Sequence, residues 1–214
     1  MDAMEYVVDL FSKGGPIMWP LLICSIVAVA LAMERIVNLA KIEMSADTAA
    51  LENLFGLVEK GRCDEAIATG KPSSDPAISV IVEGLIHRDH GLADAMQIEA
   101  EQQLDRMRTG LSVLDTIITM APLLGILGTV TGIIKSFNLL QDAGLSDPRL
   151  TTGGISEALI TTAAGLVVAL ATLIPYNYLL SRIRRVTRRL EHTATQFEVV
   201  YRRSAGGKRM ESDS

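Results

Sequence analysis

The chain has 214 residues, 49% of them apolar, with a formal net charge of −5. Its apolar residues are gathered in long runs, which excludes an ordinary soluble domain, and the acidic balance gives nucleic-acid binding no overall electrostatic support. Cys24 and Cys63 are too far apart for a disulfide framework or zinc site, and His87, His90 and His192 fall in no metal-ligand spacing. With no nucleotide loop and no nucleophile elbow either, neither an enzyme nor a cofactor is expected.

The chain opens with "MDAMEYVVDLFSKGG". Asp2, Glu5 and Asp9 outweigh Lys13, the reverse of a signal peptide, so the apolar run that follows is expected to be retained. Met4, Val7, Val8 and Phe11 recur at helical spacing and predict an interfacial amphipathic helix over 1–13; a frayed terminus is the alternative.

Residues 14–33, 116–134 and 158–181 carry no charge over 20, 19 and 24 positions. At ~1.5 Å per residue each reaches about 28–36 Å, enough for the hydrocarbon core of a bilayer. These runs predict transmembrane helices over 14–34, 116–137 and 157–181. Arg35 and Lys41 follow the first, Arg106 and Arg108 precede the second, and Arg182, Arg184, Arg185, Arg188 and Arg189 follow the third; the opposite ends hold Lys13, Lys135 and Arg149. That asymmetry puts the N-terminus outside, a helical region 35–115 in the cytoplasm, a loop 138–156 outside and the C-terminus in the cytoplasm.

In the cytoplasmic region, "SADTAALENLFGLVEKG" places Leu51, Leu54, Phe55 and Val58 on one face, with Ser45 or Asp47 as cap and Gly61 as stop. "GKPSSDPA" reads as a turn, "DPAISVIVEGLIHRD" as a second helix, and a third begins near Leu92. Nothing in the pattern breaks that third helix before the second span, so the two are expected to form one rod. Its stripe of Leu104, Met107, Leu111 and Leu114 is too short for a coiled coil. The third span is expected to continue as a basic helix over 182–205, with Ile183, Val186, Leu190 and Phe197 as its apolar stripe and phospholipid against its arginines. Residues 206–214 are expected to be a disordered tail.

Membrane helices associate through small residues and interhelical hydrogen bonds. In the second span Gly125, Thr129, Gly132 and Ser136 share one face, with Leu123, Leu127, Val130 and Ile134 round the other side. In the third, Ala158, Thr162, Gly165, Ala169 and Thr172 do the same, opposite Leu159, Leu166, Leu170 and Leu173. The first span is apolar nearly all round, which suits a lipid-facing helix. The small polar faces are expected to gather round something, a pore being the sharp reading. The plain one is that each threonine bonds the carbonyl one turn earlier. Glu157 stands at the mouth of the third span, either as a pore carboxylate or as a charge favoured by a helix N-terminus; Thr161 lies beside the stripe and is expected to bond its own backbone. No Asp, Glu, Lys, Arg or His lies deep in any span, so a conducted proton needs a titrating group from a partner.

"GGPIMWPLLICSIVAVALAMERI", "APLLGILGTVTGIIKSF" and "GGISEALITTAAGLVVALATLIPYN" resemble the ExbB/TolQ/MotA proton-channel family, its ExbB branch most and TolQ next. Three spans rather than four argue against the MotA branch. The resemblance implies an all-α membrane protein whose second and third transmembrane helices extend into the cytoplasm. It implies a homo-oligomer, a pentamer, round a central pore in the bacterial inner membrane. The pore would hold the spans of two copies of an ExbD/TolR-like partner that carries the titrating Asp, and the work would pass to a TonB- or TolA-like protein. It further implies that Thr129 and Thr162 are pore threonines and Glu157 the carboxylate at the mouth, with Gly125, Gly132, Ser136, Ala158, Gly165, Ala169 and Thr172 packing the pore face. A scaffold whose small stripes only pack helices is the competing expectation.

Overall fold

The computed structural model describes the backbone of residues 3–143 and 148–212 and the side chains of residues 5, 8–141 and 152–204. The regular elements among them are all helices: α1 (Ala3–Lys13), α2 (Met18–Met44), α3 (Thr48–Glu59), α4 (Cys63–Gly70), α5 (Pro76–Ile86), α6 (Arg88–Arg108), α7 (Leu111–Ala143) and α8 (Pro148–Ser212). Three segments, Met18–Met44, Leu111–Gln141 and Thr152–Ser204, are long and apolar enough to cross a membrane. The chain forms two compact units, Met1–Glu34 with Gly110–Tyr178, and Arg35–Thr109 with Leu179–Ser214.

The first unit is a bundle of apolar helices. α1 stops at Lys13, whose ammonium sits 2.6 Å from Asp9. Gly15 then takes a φ of +70°, a left-handed conformation that glycine adopts without steric cost, and the chain turns into α2. Phe11 meets Trp19 edge to face at 5.3 Å and packs on a core of Met18, Leu21, Ala121 and Ala169. Val8 is exposed, while the side chains of Met4 and Val7, named for the amphipathic face, lie outside the described residues. α2 is not uniform all round. Leu21, Ala28 and Ala32, on one face, are buried, and Ile23, Ile26, Val29 and Met33 are exposed. The first span therefore has a packed side of its own.

Three helix limits differ from those expected. α6 and α7 are not one rod: α6 ends at Arg108, Thr109 caps it, and Gly110 has a φ of +80°. Apolar spacing runs through this point unbroken, but one glycine in the left-handed region ends a helix whatever the spacing. The expected loop over 138–156 is mostly helix, since α7 continues to Ala143 and α8 begins at Pro148. A proline suits a first helical position, because its fixed φ is helical and its missing N–H has no intrahelical partner there. The helical backbone of α8 also runs on to Ser212, where disorder is expected from 206. Extending an existing helix avoids a new nucleus, and Lys208, Arg209, Met210 and Glu211 are good helix formers.

The second unit packs α3 to α6 with the C-terminal part of α8. Asp47 caps α3 by accepting from the Ala50 N–H at 2.8 Å. Leu54 and Val58 are buried and Leu51 and Phe55 half-buried, as the spacing predicts. α4 has no counterpart in the sequence reading; its buried side is little more than Ala66 and Gly70, too few apolar residues for a visible period. α6 kinks at Gly91 and is regular from Leu92. Ile183, Leu190 and Phe197 of α8 are buried in this unit. Phe197 lies 5.6 Å from Phe55 between ring centres.

Asp75 reads in sequence as part of a turn, yet it is fully buried. One oxygen caps α5 through the Ala77 N–H at 3.0 Å. The other accepts from Asp47 N–H at 3.0 Å and from Arg189 at 2.7 Å. Arg182, seven residues earlier on the same face of α8, meets Glu43 at 2.8 Å. Two of the five arginines taken as an orientation signal are thus tied into protein, while Arg184, Arg185 and Arg188 are exposed.

Candidate functional site in the membrane bundle

The second and third spans meet along a seam without bulk. α7 contributes Ala121, Gly125, Gly128, Gly132 and Ser136; α8 contributes Gly154, Ala158, Thr161, Gly165 and Ala169; all are buried. Both lines run at spacings of four, three, four and four, which keeps each on one helix face. The partners cross in antiparallel order. A methyl on Gly165 would strike the Ala121 carbonyl, and one on Gly125 would lie 3.0 Å from the Thr162 Cα. One on Gly128 would strike the Thr161 side chain, and one on Gly132 would lie 2.8 Å from the Gly154 carbonyl oxygen.

Within one chain the small residues lie between the second and third spans. Gly125, Gly132, Ser136, Ala158, Gly165 and Ala169, expected on a pore face, are buried between the two helices of one chain. Thr172 is likewise buried and bonds the Val168 carbonyl at 2.7 Å. Backbones that approach this closely need glycine or alanine between them. The bulky residues Leu123, Leu127, Leu159, Leu166 and Leu170 are on the outside.

Thr129 and Thr162 flank the seam and are half-buried. Their hydroxyls are hydrogen-bonded to each other. Each also makes the local bond expected of a helical threonine, Thr129 to the Gly125 carbonyl at 3.2 Å and Thr162 to that of Ala158 at 3.2 Å. Thr162 reaches the Gly125 carbonyl as well, at 3.0 Å. Two hydroxyls and one carbonyl oxygen thus form a polar knot in an uncharged stretch. A hydroxyl both donates and accepts, so the pair joins the two helices through a polar contact.

Thr161 does more than bond its own backbone. It is buried, and its hydroxyl oxygen lies 2.7 Å from both the Glu157 and the Gly14 carbonyl oxygens, which share its one proton. It thereby fastens the turn between α1 and α2 to α8. One signal in the sequence could have found it: Thr161 completes the four-three-four line through Gly154, Ala158 and Gly165.

Glu157 lies nine residues beyond Pro148, the first residue of α8. The helix dipole acts within the first turn, so it does not account for this carboxylate. Lys135 of α7 does face it, with Nζ 2.8 Å from Oε2, and the carboxyl group rests on Gly15, where a Cβ would collide with it. Among the described residues no cluster of His, Cys, Asp or Glu is arranged to hold a metal.

The chain matches the MotA/TolQ/ExbB proton channel family over residues 76–192, more than half its length. It belongs to this family. The matched stretch contains Thr129, Glu157 and Thr162. A member from a Synechocystis species, described as biopolymer transport protein ExbB-like 1, is 34% identical over 203 residues, covering 92% of this chain and 79% of that protein. The biopolymer transport protein exbB1 of Vibrio cholerae is 31% identical over 209 residues, with 89% and 86% covered. The Tol-Pal system protein TolQ of Haemophilus influenzae is 30% identical over 118 residues, with 55% and 52% covered. MotA/TolQ/ExbB members are channel subunits rather than enzymes, and relatives named for both the ExbB and the TolQ branch match this chain.

Proposed function

We propose that this chain is the ExbB-like subunit of an inner-membrane proton channel motor. In this reading five copies surround a pore that holds two single-span ExbD/TolR-like partners. The proton motive force, acting through an Asp on those partners, energises a TonB-like protein for outer-membrane transport. Thr129, Thr162 and Glu157 carry the polar path on this subunit's side. α1 lies in the outer interface, the C-terminus is cytoplasmic, and Arg184, Arg185 and Arg188 meet phospholipid headgroups. The observation that carries the reading is the hydroxyl pair of Thr129 and Thr162. Packing two helices needs only the small residues of the seam, and a partner that brings its own carboxylate needs neutral hydroxyls opposite it. ExbB-named relatives that align over most of both chains favour this branch; the alternative is a TolQ-like subunit of a Tol–Pal envelope system passing work to a TolA-like protein.

The test is Thr129→Val and Thr162→Val. Each keeps size and shape, so the complex is expected to assemble at its normal size while energised uptake through the outer membrane is lost. Normal uptake in both variants refutes the pathway and leaves a scaffold. Counting subunits in the purified complex tests the pentamer, and envelope defects without an uptake defect select the TolQ branch.

A further inference from the structure

The Glu157 carboxylate is held from two directions. Lys135 approaches from α7, its ammonium 2.8 Å from the carboxylate; the Glu157 side chain is 17% exposed and that of Lys135 59%. The 14–15 turn approaches from the other side, with Gly15 directly against the carboxyl group. From α8 itself, Thr161 fixes that turn by donating to the Gly14 carbonyl at 2.7 Å. Among the described residues, Lys13 and Asp9 at the end of α1 are paired with each other at 2.6 Å. Among the described residues, Lys135 is the cation paired with Glu157.

The geometry points to Lys135 as the positioning residue of Glu157, an assignment that rests on reading Glu157 as part of the proton path. The ammonium holds the carboxylate against Gly15 at the end of the α7–α8 seam, five residues before Thr162. A proton arriving on the carboxylate cancels its charge and with it the attraction to Lys135. Lys135 thus decides where the charged Glu157 side chain rests. A mostly buried carboxylate without a countercharge has no such resting place.

The experiment measures proton flux into membrane vesicles that contain the full chain with its native partner subunits, using a pH-sensitive dye, alongside the amount and size of the complex. Lys135→Met is expected to lower flux about tenfold or more, because a displaced reacting group loses that much. Lys135→Arg, which keeps the charge, is expected to retain most of it. Glu157→Gln should fall as far as Lys135→Met, and the double variant no further, since the two residues act as one unit. Wild-type flux in Lys135→Met beside low flux in Glu157→Gln overturns the role of Lys135 and leaves the pathway standing. Wild-type flux in Glu157→Gln overturns the pathway reading of Glu157 and this inference with it. If Lys135→Met does not assemble, assembly of the charge-reversed pair Lys135→Glu with Glu157→Lys decides: more intact complex than in Lys135→Glu alone supports the pairing, and no more than in Lys135→Glu alone overturns it.

Discussion

Replacing Gly132 by alanine puts a methyl 2.8 Å from the carbonyl oxygen of Gly154 and 2.9 Å from the Cβ of Ala158. Carbon atoms in contact settle near 3.5–4.0 Å, so α7 and α8 must move apart by roughly 1 Å at this level. Neither neighbour can rotate away, because one is backbone and the other a β-carbon. Forced overpacking of this kind costs about 1–3 kcal/mol. Against it stands the gain of roughly 0.5–1 kcal/mol for removing a glycine from a helix. Gly153 isolates that second term, since it is helical and exposed and a methyl there meets nothing within 4 Å. Gly132→Ala should therefore melt below Gly153→Ala by roughly 2–12 °C, taking about 2–4 °C per kcal/mol for a chain of this size. The assay is thermal unfolding of the two purified variants in the same detergent, followed by circular dichroism. If Gly132→Ala melts at or above Gly153→Ala, the seam is not as close as described, and the small residues of both helices need another explanation.

Asp75→Asn keeps a cap for α5 but removes the countercharge of Arg189, and should destabilise the second unit by about 3 kcal/mol, read as faster hydrogen exchange at the first turns of α3 and α5. Unchanged exchange would mean that the buried pair contributes nothing there. Thr161→Val removes the bond to the Gly14 carbonyl, worth about 1 kcal/mol, and should make the α1–α2 turn more readily cleaved in limited proteolysis; equal cleavage would remove Thr161 from that role. Burial pushes the Tyr201 phenol above its ordinary value, with Cys63 and Asp89 adding to the shift and Arg88 opposing it. The folded chain then holds this proton more tightly than the unfolded one, so the contribution to stability is intact below about pH 10 and lost as pH rises beyond it. An ultraviolet titration should show a late-ionising tyrosine that disappears in Tyr201→Phe, and no difference between the two curves would refute the shift.

The three spans are legible because an uncharged run of about 20 residues has few other uses. The caps of α3 and α5 are legible because Asp before a helical period is a local signal. The phase of the seam is not. Gly128 and Thr129 are adjacent, as are Thr161 and Thr162, and all four are small, so spacing alone admits either neighbour as the buried one. The partner helix decides, placing Gly128 and Thr161 inside and leaving Thr129 and Thr162 on the flank. Partnerships across long intervals are equally hidden: Lys135 with Glu157, Arg189 with Asp75 and Arg182 with Glu43 join residues 22, 114 and 139 positions apart. In sequence the arginines read as topology signals, and only folding divides them into tied and exposed sets. The break at Gly110 is a matter of one backbone angle, which no hydrophobic period records.

The seam between α7 and α8 also bears on how the two helices find each other. Ala121, Gly125, Gly128, Gly132, Gly154, Ala158, Gly165 and Ala169 have no side-chain rotamers to lose. Of the ten positions, Ser136 and Thr161 alone have a χ angle that contact must fix. A leucine seam would surrender about 0.5–1 kcal/mol of rotational freedom at each residue on docking. Here the ordering is almost complete once each helix has formed within the bilayer. The glycines that weaken each helix on its own are thus the residues that let the pair close with little further loss of entropy.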